Sequence, residues 1–376
     1  MNTIPPKPAN CLRIAHTADW HLRDEHLGLR KRGPDFTKAA LAVVESACQN
    51  GCELIVNAGD ILNVSRPSSQ NITDLNAIHQ RLKALGLPML VISGNHDMAS
   101  PSWSEAVLET DGKTGIIPAD NLRHKQGGVN FTCLPWMPRA ALVERLARVP
   151  DGDVLVWHGE VQEFRGYPGD SCVTVADLTP ARFQAVLLGD IHKRGYVEAT
   201  AEGAPCLVGY PGATEIVKRD DPLLHSYEII DLPLDGSAPT HYQVMIETRP
   251  ALVFHISSDA DLEEVIAKVT AVADSEPMVF IRYAKSVEGV KARLHAAIDV
   301  NKVILREEPL PEVVLALDTP GQEGEFVSAR QVTDFIPDLF PVPGPLQDLG
   351  ALLCDPARNA DDLINAYVAK RQEEAA

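Results

Sequence analysis

The chain has 376 residues, 45% of them apolar and 23% charged, which is ordinary globular composition for two to three domains and excludes a wholly disordered protein. Its 34 Lys and Arg against 52 Asp and Glu give a net charge of −18, which excludes a coat protein held to nucleic acid or membrane by charge alone. An enzyme whose bound metal ions reverse the local field stays open. No run of about 18 apolar residues marks a membrane span, and Met1 to Asn10 does not read as a secretory signal. The seven cysteines are scattered and form no CxxC, so reduced thiols in a cytoplasmic protein are expected.

In chain order, Leu12 to Ala15 reads as a strand. A helical stripe of Phe36, Ala40, Val43, Val44 and Ala47 follows and stops at Gly51. Leu54 to Val56 is a second strand, residues 72–85 a helix, and Met89 to Ile92 a third strand. Val154 to Trp157 and Ala185 to Leu188 are two more. Apolar runs separated by helices predict a mainly parallel α/β sheet covered on its faces. Near Arg249 the pattern changes. Residues 249–310 alternate strand-like Ala251 to Ile256 and Met278 to Tyr283 with helical stripes at Leu262 to Val272 and at Val290, Leu294 and Ile298, predicting a compact α+β unit. A Pro-rich stretch, residues 311–345, reads as a linker, and residues 346–376 hold two amphipathic helical patterns. Those helices could fold back on the body or dock a partner.

Five times an apolar strand runs into metal-type ligands. The sites are Asp19-Trp20-His21, Gly59-Asp60, Gly94-Asn95-His96-Asp97, His158, and Gly189-Asp190-Ile191-His192. Loops beyond the carboxyl ends of parallel strands lie along one edge, so these residues should converge. Asp, His and Asn are hard or borderline ligands, suited to manganese, iron or zinc. The candidates are Asp19, His21, Asp60, Asn95, His158, Asp190 and His192, enough for two ions if one carboxylate bridges. Taken singly these fragments are weak signals; five in order, each after a strand, are a strong one.

The pattern resembles the calcineurin-like metallophosphoesterase superfamily. His16 to Leu22, Gly59 to Asn63 followed by Arg66-Pro67-Ser68, Gly189 to Arg194, and Tyr210-Pro211-Gly212-Ala213 resemble its SbcD-type branch, the meiotic recombination eleven nucleases. The likeness covers residues 12–232. It implies a sandwich of mixed sheets flanked by helices over residues 1–248, a capping domain at 249–310 matched in layout only, and tail helices that dock an SMC-like (SbcC-type) ATPase. It implies one metal on Asp19, His21, Asp60 and His192, a second on Asp60, Asn95, His158 and Asp190, and His96 as a catalytic histidine that binds no metal. Two departures stand out. Asp190 occupies a position usually held by His, and Asn63 one usually held by His or Asp.

The expected chemistry is phosphodiester hydrolysis with two divalent cations, manganese foremost, with iron, zinc or magnesium as substitutes. The expected substrate is DNA, cut exo- or endonucleolytically in repair or recombination by a homodimer in the cytoplasm of a bacterium or from a phage. Arg66, Lys193 and Arg194 are candidate phosphate contacts, within a wider set of Arg23, Arg30, Lys31, Arg32, Lys218 and Arg219. The alternatives are a small-nucleotide phosphodiesterase or phosphatase, and a non-catalytic scaffold of the same fold.

Overall fold

The computed structural model describes residues 4–27, 29–98, 113–165, 173–199, 206–218, 221–299 and 302–309. The expected linker at 311–345 and tail at 346–376 lie outside the described residues, as does Arg219. The chain separates into two compact units, the first ending at Arg249 and the second starting at Pro250.

Twelve strands of the first unit form two six-stranded sheets. In the first sheet β1 (Cys11–Thr17), β2 (Leu54–Asn57), β3 (Pro88–Val91) and β4 (Gly115–Pro118) run parallel. The second sheet starts with β5 (Arg123–Gln126), antiparallel to β6 (Val129–Leu134), and continues in parallel through β7 (Val154–His158) and β8 (Ala185–Gly189). Strand β9 (Gly195–Ala199) is its far edge, antiparallel to β10 (Cys206–Tyr210), which pairs in parallel with β8. Strands β11 (His225–Pro233) and β12 (Thr240–Ile246) return to the first sheet as antiparallel neighbours on the outer side of β1.

The two mixed sheets agree with the sandwich that the family resemblance implies, whereas the apolar runs alone pointed to one mainly parallel sheet. Periodicity could not separate these cases, because a strand buried on both faces reads as a continuous apolar run in either. Leu12, Ile14, Leu54, Val56 and Leu90 of the first sheet meet Phe131, Val154, Val156, Ala185 and Leu187 of the second in the central core. Helices α1 (Gly33–Gln49) and α2 (Ser69–Leu85) cover the outer face of the first sheet, where the predicted stripe of Phe36, Ala40, Val43, Val44 and Ala47 is buried. Ser68 caps α2 by accepting the Asn71 N–H, and Gly86 ends it in the left-handed region at φ 65°. Helix α3 (Arg139–Leu146) packs Leu142 and Leu146 on the outer face of the second sheet, and the one-turn α4 (Gln162–Arg165) follows β7.

The second unit is a parallel sheet of β13 (Ala251–Ile256), β14 (Met278–Tyr283) and β15 (Ile304–Pro309), with α5 (Asp259–Val272) and α6 (Val290–Ala297) as its crossovers. Its core holds Ile256, Leu262, Val265, Val279, Ile281, Leu294 and Ile298; Ile298 lies just past the end of α6. None of the described helices is long and apolar enough to cross a membrane. Cys52, Cys133 and Cys206 are buried free thiols whose burial pushes their pKa up to about 12, so they stay protonated near neutral pH.

One buried ion pair fixes β1 against β11. Arg13 Nε and Nη2 each donate to the Asp231 carboxylate at 2.7 Å, with both side chains at or below 3% exposure. Removing one partner leaves the other charge stranded. Asp231→Ala should therefore cost roughly 3–5 kcal/mol, read as a lower midpoint in denaturant unfolding; an unchanged midpoint would show that water reaches Arg13.

Candidate metal centre

The carboxyl ends of β1, β2 and β3 in one sheet and of β7 and β8 in the other supply the predicted loops. The first two loops extend the pairing of their strands. Asp19 N–H donates to Gly59 O at 3.0 Å, His21 N–H to Asp60 O at 2.9 Å and Leu22 N–H to Ile61 O at 3.0 Å. Within this pairing Asp19, His21 and Asp60 take positive φ of 53°, 45° and 53°, and Asp190 takes 107°. Of eight non-glycine residues with positive φ among the described residues, four are expected ligands, a concentration of strain that functional sites show. Close approach explains two glycines. A Cβ on Gly94 would stand 2.1 Å from Asp60 Oδ1, and one on Gly59 2.4 Å from His158 Nδ1.

Asp60 is the centre of the cluster. Its Oδ2 lies 3.5 Å from His21 Nε2 and its Oδ1 3.6 Å from His158 Nε2, so one carboxylate turns an oxygen to each side. His21 Nε2 lies 3.2 Å from His192 Nε2, and Asp190 Oδ1 lies 3.9 Å from His158 Nε2. Among the described residues three groups could each hold an ion: Asp19, His21 and His192; Asp19, Asp60 and His158; and His21, Asp60 and His96, with ligand atoms within 4.8 Å in each. Asn95 lies on the loop after β3, exposed, between buried Gly94 and exposed His96. Donors about 2.1 Å from one ion and about 90–110° apart would stand about 3.0–3.5 Å from each other.

The hydrogen bonds that orient the His158 and His192 rings are made by Nδ1 and turn Nε2 towards the cluster. His158 Nδ1 donates to Ala58 O at 2.7 Å, while its buried Nε2 has no hydrogen-bond partner. His192 Nδ1 lies 3.0 Å from both oxygens of Asp221, a residue that no sequence motif singles out. Burial opposes charge on Asp221, but its hydrogen bonds from His192, Val217 and Lys218 hold its carboxyl below the ordinary range. A buried, unpartnered imidazole nitrogen facing the carboxylates of Asp60 and Asp190 fits a divalent cation.

Electrostatics point the same way. Burial first, then the charges of Asp60 and Asp190, pushes Asp19 well above the ordinary carboxyl range, and burial raises Asp190. Burial, then His192 and Arg23, drives His21 well below the ordinary imidazole value. The acids resist charge until a cation arrives, and the neutral imidazole keeps a lone pair for that cation.

His96 stands apart. It is exposed, its ring meets His21 edge-on at 4.9 Å, and its Nδ1 donates to the Asn63 carbonyl at 2.9 Å, which leaves Nε2 to act. The unusual residue at Asn63 thus serves His96 through its backbone, a role indifferent to the side chain. Asp97 is fully buried and accepts the backbone N–H groups of Ile61, Leu62 and Gly94, which locks the second loop to the third. Burial, then Asp60, pushes the Asp97 carboxyl up to about 8.

The cation candidates divide. Arg66 and Lys193 are exposed and have no ion-pair partner among the described residues. Arg194 is bidentate to buried Glu228 at 2.7 and 2.8 Å and lies over Tyr196. Arg23 and Arg32 are buried beside Phe36.

Residues 12–194 match the family model described as calcineurin-like phosphoesterase. They form a calcineurin-like phosphoesterase domain. Among curated relatives, the DNA double-strand break repair protein Mre11 of Methanosarcina acetivorans is 26% identical over 86% of this chain and 48% of its own length. That of Haloferax volcanii is 29% identical over 68% of this chain and 58% of its own. The chain thus spans about half the length of these relatives. Both sources are archaeal, which does not single out the expected bacterial or phage origin. Among solved structures, TT1561 of Thermus thermophilus is 14% identical at a TM-score of 0.38, covering 62% of this chain and 99% of its own.

The raised carboxyls of the phosphoesterase domain set a pH dependence. Without metal they cost stability as pH rises from the ordinary aspartate value of about 4 towards and through their own. Metal binding displaces those protons. Manganese affinity should therefore rise with pH across that range, with protons released in calorimetry run in buffers of different ionisation enthalpy. A flat affinity without proton release would contradict the charge assignment.

Proposed function

We propose that this chain is a two-metal DNA nuclease whose ions are held by Asp19, His21, Asp60 and His192 on one side and by Asp60, Asn95, His158 and Asp190 on the other. The observation that carries this reading is the Asp60 carboxylate, which turns one oxygen towards His21 and the other towards the unpartnered Nε2 of His158 inside a cluster of acids and imidazoles. Bound divalent ions, manganese by ligand chemistry, would polarise the phosphodiester and activate water. The named function of the relatives, DNA double-strand break repair, supports DNA as the polymer cut.

The protein's own groups do the rest. Asp60 holds both subsites at a fixed spacing and takes its orientation from the His96 N–H, which donates to Oδ1 at 3.0 Å. His96 Nε2 delivers a proton to the leaving oxygen or steadies the phosphate charge. Arg66 and Lys193 hold the DNA backbone beside the site, without base specificity. Because Arg194 is engaged by Glu228, the path rests on Arg66 and Lys193. An SMC-like ATPase docked on the tail helices, a homodimer and a cytoplasmic location complete the proposal.

The test is turnover of linear duplex DNA beside bis-p-nitrophenyl phosphate in manganese. The intact chain should cut DNA, and His96→Ala should lose about 10²–10⁴-fold in rate while keeping its metals. Asp60→Ala should lose metal and activity together. Hydrolysis of the small ester alone would favour a small-nucleotide phosphodiesterase, and bound metal with no turnover of either substrate would favour a scaffold.

Charge reversal at Arg66 and Lys193 should lower the salt slope of DNA binding by roughly one for each phosphate that is no longer neutralised. An unchanged slope would remove both residues from the DNA path.

A further inference from the structure

Asp221 lies outside the five strand-end loops, on the segment between β10 and β11. Its carboxylate has two sets of partners. Both oxygens stand 3.0 Å from His192 Nδ1, and Oδ2 also accepts the backbone N–H groups of Val217 at 2.8 Å and Lys218 at 2.7 Å. The His192 and Asp221 side chains are each 7% exposed, so water competes poorly for these bonds. A carboxylate only accepts hydrogen bonds, so His192 Nδ1 donates and the lone pair of the neutral ring falls on Nε2. That nitrogen faces His21 Nε2 at 3.2 Å.

The same carboxylate fixes the turn that carries Lys218. This lysine is exposed and has no ion-pair partner among the described residues. Its backbone N–H donates to the same carboxylate that stands 3.0 Å from His192 Nδ1, so the turn that carries Lys218 lies beside an expected metal ligand.

We propose that Asp221 is a positioning residue with two linked tasks: it holds His192 in the tautomer that presents Nε2 to a metal, and it holds Lys218 where its ammonium can clamp an oxygen of a bound phosphate. The proposal rests on the phosphodiesterase reading of the site and adds to it a phosphate-binding cation tied to a metal ligand by one carboxylate. Assembly of one metal subsite and placement of that cation then occur together.

Asp221→Ala, Asp221→Asn and Lys218→Gln test this in the full chain. The readouts are ¹⁵N signals of His192 in the metal-free protein, manganese titration, and inorganic phosphate titration at saturating manganese. Asp221→Ala should move the His192 ring hydrogen towards Nε2, weaken manganese binding roughly 10–100-fold and weaken phosphate binding. Asp221→Asn keeps one acceptor oxygen and should fall between Asp221→Ala and the parent, which guards against reading a folding defect as a positioning effect. Lys218→Gln should weaken phosphate binding alone, with the His192 signals and manganese affinity unchanged. An unchanged His192 tautomer and manganese affinity in Asp221→Ala would overturn the proposal. So would normal phosphate binding in Lys218→Gln, or no phosphate binding by the manganese-loaded parent. If these binding results hold and no phosphodiester is cleaved, the failure lies with the nuclease reading and not with Asp221.

Discussion

The site depends on one carboxylate shared between two clusters. Asp60 cannot serve both sides unless its backbone is held in the left-handed region, its Oδ1 is steadied by the His96 N–H, and Gly94 leaves the space a side chain would fill. Around it, Asp19 and Asp190 are buried or half-buried against like charge, a costly arrangement unless positive charge is supplied. The neighbouring histidines cannot supply it as neutral rings. A divalent cation can, and the same constraint accounts for the strained loops and for Asp97, whose carboxylate accepts three backbone N–H groups and so keeps two loops in register.

Two sheets contribute to that cluster, so their alignment is part of the chemistry. Asp19, His21, Asp60 and His96 come from the first sheet, and His158, Asp190 and His192 from the second. Several polar ties cross between them. His158 Nδ1 donates to Ala58 O, the Asp190 N–H donates to the Asp19 carboxylate, Arg194 grips Glu228, and His16 Nδ1 meets the Tyr196 hydroxyl at 2.6 Å. Apolar contact alone sets the spacing of a sandwich but tolerates sliding. Directional bonds at buried positions remove that freedom near the ligands.

The ligand loops were legible because each combines a buried apolar run with a short polar motif, as in Val91-Ile92-Ser93-Gly94-Asn95-His96-Asp97. The division into two sheets came from the family resemblance and not from periodicity, since burial on both faces erases the period that would tell one sheet from two. Edge strands such as β5, Arg123-His124-Lys125-Gln126, and β15, with Arg306-Glu307-Glu308, carried too little apolar signal to be seen. Arg194 reads as a phosphate contact by its place beside His192, yet its partner Glu228 lies 34 residues away and could be found only in three dimensions. Asp221 had no motif; its role comes from a turn that folds back onto His192.

The most direct test of the shared carboxylate is anomalous diffraction from manganese-soaked crystals of the full chain. The account predicts two peaks roughly 3.5–4 Å apart, one beside Asp60 Oδ1 and His158 and the other beside Asp60 Oδ2 and His21. A single peak, or two peaks that do not share Asp60, would contradict it.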